Sequence, residues 1–288
     1  MKSLHLDSMN AVPQSRRTAR GIVHRTRGRT HGQITRLISP SDLGELTKPF
    51  VFLDLFELSA GDAPLFGWHP HSGIATLTVV QEGATSYEET TGQKGVLSAG
   101  GVEWMRAGRG VWHTGSSLGD TPTKGFQLWV ALPEELELTV SQSRYLSAEE
   151  VPASGGARVI LGSHAGASSM IPAPPGINYL DVRLEAGEHW SYRPPAGHDV
   201  LWLAVSQGAV QVGELVTAGE LVIFEESGAD LAIHAESKAR FVLGSAVKHP
   251  HALVTGRYSV HTSPTALRAG ELEIRRIGAQ LAATGVIR

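Results

Sequence analysis

Among the chain's 13 histidines, His69-Pro70-His71 has the spelling with the clearest chemical use. Two residues apart on an extended segment, both imidazoles point to the same face. Two imidazoles on one face can share a transition metal if a neighbouring strand supplies a third donor. His113 is that donor's candidate. It closes the stretch Ala107-Gly108-Arg109-Gly110-Val111-Trp112-His113, and Gly108-Arg109-Gly110 reads as the tight turn that delivers it. His249-Pro250-His251 repeats the spelling, but without the glycine-strand context that follows His71, so it ranks below the first pair. His198 and His234 each stand alone and are expected to be hydrogen-bonded structural residues. No nucleophilic or phosphate-cradling role is expected, and the chain has no P-loop.

The elements that must position these histidines read as short strands. With 33 glycines and 15 prolines, the chain is rich in turns, and many turns imply many short strands. Phe50–Leu53, Ala75–Val80, Val102–Met105 and Phe126–Ala131 are dominated by β-branched, aromatic and aliphatic residues. Turns fall at Glu82-Gly83, Thr91-Gly92, Gly100-Gly101 and Gly108. Helical periodicity is scarce, and the expected short helices are Ser41–Leu46 and Ser147–Val151. The pattern predicts an all-β sandwich or barrel. The second half looks like a degraded copy of the first. Val79-Val80-Gln81-Glu82-Gly83 and Ser98-Ala99-Gly100-Gly101-Val102 are echoed by Val205-Ser206-Gln207-Gly208 and Thr217-Ala218-Gly219-Glu220-Leu221. The expected organisation is a loose start over 1–20, a histidine-bearing barrel over 21–140 and a structural barrel over 141–288. Tyr145 to Gly166 would be the crossover.

The bulk numbers set the frame. A chain of 288 residues that is 41% hydrophobic and 18% charged has room for two packed domains. The net charge of −3 gives no positive field for nucleic acid or an anionic membrane. With no cysteine, disulfides, thiolate catalysis and Cys-type zinc sites are excluded. No apolar run reaches the roughly 20 residues of a membrane span. Arg16-Arg17 lacks the apolar segment of a twin-arginine signal, so a soluble cytoplasmic protein is expected. The basic stretch Arg16, Arg17, Arg20, Arg25, Arg27, Arg29 and Arg36 has no interleaved aromatics for stacking nucleic acid. It reads as a solvated edge strand.

Several stretches, in order and spacing, resemble the signature of the pirin family in the cupin superfamily. These are Trp68-His69-Pro70-His71-Ser72-Gly73, Glu82-Gly83, Gly95-Val96, Glu103-Trp104-Met105-Arg106-Ala107-Gly108-Arg109-Gly110-Val111-Trp112-His113, and Phe126 through Pro133. Gly244 to Val260 looks like the C-terminal segment that returns to close such structures. The resemblance implies two cupin-type barrels packed together, a bicupin, with few short helices. It also implies one metal in the N-terminal barrel, iron foremost, with copper, nickel, manganese or zinc as alternatives. By position, His69, His71 and His113 would be the ligands.

The family's ligand glutamate falls on Gly115, and the acid that other cupins often use falls on Ala75. Both acids are missing, so the site would be a neutral three-histidine set, or bear no metal at all. Glu103 is the nearest substitute acid in sequence. Alternation cannot be phased from one sequence, and an outward placement is the expectation. An inward one would make it a positioning residue behind a ligand. Three functions follow from the resemblance. The first is a quercetin 2,3-dioxygenase-type enzyme taking a flavonol-like aromatic in a pocket lined by Leu77, Val79, Trp104 and Met105. The second is a regulatory protein with a protein partner, and the third is a metal-free scaffold.

Overall fold

The computed structural model describes residues 20–287 except 62 and 63. The expected loose start and Arg16-Arg17 lie outside the described residues, apart from Arg20 at the edge of that region. The all-β expectation holds. Each of two barrels has one seven-stranded sheet facing one four-stranded sheet. In the first barrel the large sheet runs, in spatial order, Gln142–Leu146, Val102–Arg106, Ile74–Glu82, Thr123–Ala131, Phe50–Leu58, Ile34–Ile38 and Arg29–His31. Its small sheet runs Pro64–His71, Val111–Ser117, Ala84–Glu89 and Lys94–Ser98. The second barrel repeats this plan around Val200–Gln207, Ala239–Ala246 and Ile177–Leu184. The repeated glycine turns are real counterparts. Gly83 and Gly208 take φ of 72° and 71°, a left-handed conformation in which a Cβ would strike backbone oxygens.

The two large sheets pack back to back. Phe50, Leu77, Trp104 and Leu128 from the first share one apolar core with Tyr179, Trp202 and Val242 from the second. The Phe50 and Trp202 rings meet edge-on at 5.4 Å between centroids. One ionic node crosses this layer. Asp181, wholly buried, is gripped by Arg240 through both carboxylate oxygens (2.9 and 2.7 Å) and receives Gln81 Nε2 at 3.1 Å.

Strand pairing does not follow the division expected near residue 140. Ile22–Thr26, placed by expectation in the first barrel, pairs with Leu221–Phe224 of the second. Gln142–Leu146, placed in the second, pairs with Val102–Arg106 of the first. Each barrel therefore takes, at the same sheet edge, the strand that precedes the other barrel in sequence. Ile22–Thr26 and Arg29–His31 are edge strands, as the basic stretch suggests. Arg20 is not solvated, however: its guanidinium is buried and donates to the carbonyls of His198, Asp199 and Ala229.

The helices differ from expectation in two places. A short helix forms at Gly44–Thr47, but 148–150 is only a turn. A 20-residue helix, Pro264–Ala283, was not anticipated. It starts where Ser263 Oγ accepts from Ala266 N and proline follows the cap. Its buried face is Ala266, Gly270, Ile274 and Gly278, an i, i+4 stripe. That face packs on the first barrel, where Trp112 Nε1 donates to Ile274 O at 2.7 Å. Among the described residues no helix is long and apolar enough to cross a membrane.

Candidate metal centre

Antiparallel pairing of Pro64–His71 with Val111–Ser117 sets His69 directly opposite His113. Strand alternation turns His71 to the same side as His69. The result brings all three predicted histidines together. One ring nitrogen from each lies within 4.8 Å of the others. The ring centroids stand 4.3 to 5.1 Å apart.

Backbone contacts fix which nitrogen of each ring faces inward. His69 Nδ1 donates to Gly67 O at 2.9 Å, and His71 Nδ1 donates to Tyr258 O at 3.0 Å. Both Nε2 atoms are then left as lone-pair donors. His71 Nε2 is buried without a hydrogen-bond partner. His69 Nε2 and His113 Nε2 lie 2.9 Å apart. An orphaned buried nitrogen beside two nitrogens at this separation fits a cation placed among the three. Burial, reinforced by the neighbouring His113, holds His69 down to about 4. Burial likewise holds His71 well below the ordinary imidazole value. Both are therefore neutral near pH 7, the form in which imidazole binds metal.

The cluster separates two spaces of opposite character. On the inner side is a cavity of about 50 Å³ that His69 and His113 line with Thr78, Glu103, Gln127 and Tyr145. Glu103 is only 6% exposed, with Oε1 3.8 Å from His113 Nδ1. It faces inward, contrary to the outward expectation, and Thr78 Oγ1 donates to its other oxygen. Glu89 is also buried here, accepting from Ser143 Oγ (2.8 Å) and Tyr145 OH (2.9 Å), and burial raises its carboxyl above the usual range. On the outer side is a cavity of about 390 Å³ lined by His69, His71, Phe52, Trp129, Arg257 and Tyr258 among others. Phe52 and Trp129 stack there at 4.0 Å.

The pocket expected from Leu77, Val79, Trp104 and Met105 is a correction. Leu77, Val79 and Trp104 belong to the core between the barrels, and Met105 packs with Ala107 and Val111. Alternation is phased one residue away, so Thr78, Glu103 and Gln127 are the residues that face the histidines. Ala75 joins the inter-barrel core, so an acid at that position would point away from the cluster. Gly115 does line the inner cavity, but a Cβ there would come within 2.9 Å of Ser86 O. The neighbouring strand closes over the place where the family's acid would stand.

The remaining sequence candidates stay outside the cluster. His198 Nδ1 bonds Ser245 Oγ at 2.9 Å, and His234 Nδ1 approaches Glu236 at 3.1 Å. In the second barrel His189 sits opposite His234, just as His69 sits opposite His113. There the inward positions are Trp190, Tyr192, Leu231 and Ile233, which pack into an apolar core.

Sequence reasoning missed what holds the outer rim. Ser72 forms a lone parallel bridge with Ser259, and Ser72 Oγ contacts Ser259 Oγ (2.8 Å) and His261 Nε2 (3.0 Å). His261 Nδ1 contacts Glu137 Oε2 at 2.9 Å, and the same carboxylate takes Thr262 N and Thr262 Oγ1. The order serine, histidine, carboxylate resembles a hydrolytic triad, but Ser72 is fully buried and no substrate can reach it. It is a tie that fastens residues 258–262 against the strand carrying His71. The only signal in the sequence was the returning C-terminal segment.

The family model for pirin matches residues 29–130. A pirin-like protein of Caulobacter vibrioides is 31% identical over 224 residues, covering 73% of this chain and 79% of its own. A Pseudomonas aeruginosa protein, named provisionally as a quercetin 2,3-dioxygenase, is 33% identical over 231 residues with the same coverage. Among solved structures, a quercetin 2,3-dioxygenase from Acinetobacter baumannii superposes with a TM-score of 0.82 at 23% identity, covering 90% of this chain and 97% of that one. The bacterial pirin YhhW of Escherichia coli, in complex with nickel(II), gives 0.62 at 20% identity, covering 80% and 96%.

Proposed function

The chain belongs to the pirin family, and on that premise we propose that it holds one divalent transition metal on His69, His71 and His113. We further propose that it uses this centre to oxidise, with dioxygen, a planar aromatic that chelates through adjacent oxygens, as a flavonol does. The observation that carries the reading is the convergence of three imidazole nitrogens, one of them buried without a partner. Iron leads by resemblance to the family. Imidazole suits copper, nickel and zinc as well, and nickel is the ion in the E. coli neighbour. When bound, the metal supplies Lewis acidity and, for iron or copper, redox capacity.

The chain's own residues do the rest. The carbonyls of Gly67 and Tyr258 fix the orientation of His69 and His71. Glu103 is the positioning residue for His113: its carboxylate lies on the Nδ1 side, where a small closure makes a carboxylate–histidine pair behind the ligand. Phe52 and Trp129 offer a flat apolar wall beside the histidines and exclude water from one face of an aromatic guest.

The test is metal analysis of protein purified without a histidine tag, beside His69→Ala and His113→Ala. Near one equivalent of a transition metal, absent from both variants, is the expected result, followed by oxygen uptake with a flavonol. Protein that is metal-free and takes up none on titration would overturn the reading.

A further inference from the structure

We propose that Arg257 makes the outer cavity selective for an aromatic ligand bearing an anionic group at the end remote from its chelating oxygens. The inference rests on the metal-site reading above and names the substrate class of the same site. Four observations carry it.

First, the outer cavity is the roomy side of the cluster. At about 390 Å³ it can take a bicyclic or extended aromatic, whereas the inner space of about 50 Å³ holds little more than a water or two. Second, the walls sort charge. Glu103 and Glu89 lie on the inner side, so an anion there would meet buried carboxylates. The outer wall carries Arg36, Asp54 and Arg257. Arg36 is spent on Asp54, with Nη2 3.0 Å from Oδ2 and its Nε on the other oxygen.

Third, Arg257 is free to act. It is exposed, no described carboxylate pairs with it, and its guanidinium carbon lies 5.1 Å from the Tyr258 ring. The three histidines bring no negative charge of their own to a divalent ion, and Glu103 stands behind His113 on the inner side, so the outer cavity is the side that favours anions. Fourth, Arg257 is held in place. It precedes Tyr258 and Ser259, which the buried Ser72, His261 and Glu137 tie fastens beside His71. An arginine on an anchored backbone loses less freedom on binding than one on a loose loop.

The Tyr258 ring lies 6.2 Å from the His69 ring, and the Arg257 guanidinium carbon lies 5.1 Å from the Tyr258 ring on the wall of the same cavity. A suitable probe carries its chelating oxygens and its anionic group at opposite ends. 3,4-Dihydroxycinnamate has catechol oxygens at one end and a carboxylate at the other. Its amide is nearly isosteric and neutral.

The experiment is calorimetric titration of nickel(II)-loaded protein, and of the metal-free protein, with each compound, for wild type, Arg257→Gln and Arg257→Lys. Metal content is measured before and after. The carboxylate is expected to bind at least about tenfold tighter than the amide, with the preference shrinking as salt rises. Arg257→Gln should cut the preference below about twofold and leave the amide's affinity unchanged, and Arg257→Lys should restore part of it. Equal binding of both compounds to wild type, or an undiminished preference in Arg257→Gln, overturns the proposal. Failure of the metal-site reading is separately visible as absence of nickel. In that case the carboxylate preference of the metal-free protein still tests Arg257.

Discussion

His-Pro-His occurs twice in this chain, and the two copies have opposite surroundings. His69-Pro70-His71 lies in a strand, so its imidazoles share a face and meet His113 across the ladder. His249-Pro250-His251 lies outside any strand, in the segment that returns from the second barrel. Its rings are nearly as close, 5.4 Å between centroids against 5.0 Å. No third ligand joins them among the described residues. The charged neighbours of His249 are mixed, Lys48 against Glu137 and Glu45. His69 and His249 are both held near pKa 4, mainly by burial. A buried histidine pair is thus not a metal site in itself. Strand pairing, which places a third imidazole opposite, makes the difference.

The largest expected effect follows directly. His71→Ala should weaken metal binding by more than the roughly 100-fold that loss of an outer partner costs. His251→Ala should leave stoichiometry and affinity unchanged. Dialysis against a metal buffer with elemental analysis reads both, and metal loss in His251→Ala would erase the distinction. Next comes Glu103→Gln, which keeps the shape but removes the charge facing His113 Nδ1. It should weaken metal binding about 10- to 100-fold, with Glu103→Asp in between. An unchanged affinity would make Glu103 merely a buried acid bonded to Thr78.

A third effect tests the tie that sets the first copy apart. A Cβ on Gly270 would lie 2.4 Å from Ser72 Oγ and 2.6 Å from His261 Nε2, both on fully buried side chains that cannot swing away. Gly270→Ala should therefore destabilise by about 1–3 kcal/mol through overpacking, despite alanine's better helix propensity. Denaturant titration of the metal-free protein reads it. A stabilised variant would mean that the helix can shift on the barrel, and that the rim it supports is not rigid.

The fold was legible because short β-branched segments between glycines permit few other architectures, and the repeated turns at Gly83 and Gly208 mark the duplication. The histidine trio was legible because His-Pro-His on a strand fixes its own geometry, and the Gly108-Arg109-Gly110 turn and the family resemblance both pointed to His113. What was not legible depends on phase or on distance in sequence. Glu103 was placed outward because a one-residue shift exchanges the two faces of a strand. The same shift put Leu77, Val79 and Trp104 in a pocket when they fill the core between barrels. Ser72 and His261 are 189 residues apart, with no local pattern to join them. The helix Pro264–Ala283 did carry local signals, a Ser263 cap before Pro264 and an Ala266, Gly270, Ile274, Gly278 stripe. Two of those four positions are glycine, which hid the stripe from an apolar count.

The smallest effect belongs to the second copy and concerns pH. His249 is 7% exposed, and burial lowers its pKa to about 4, with the His251 and Lys48 charges adding to the shift and Glu137 and Glu45 opposing it. The unfolded chain takes up the corresponding proton near 6.5. Below that pH the unfolded state binds more protons than the folded one, so acid favours unfolding. The stability His249 contributes is thus fully present above about pH 6.5 and lost progressively as pH falls toward 4. One pH unit below the unfolded value the loss amounts to about 1.4 kcal/mol. His249→Gln removes this proton, so from pH 8 to 5.5 the variant should lose about 1.4 kcal/mol less stability than wild type. Comparing the two slopes by urea titration isolates this residue from the other buried histidines, which titrate in both proteins. Parallel slopes would place the imidazole in water in the folded state, and burial would then no longer be what the two His-Pro-His copies have in common.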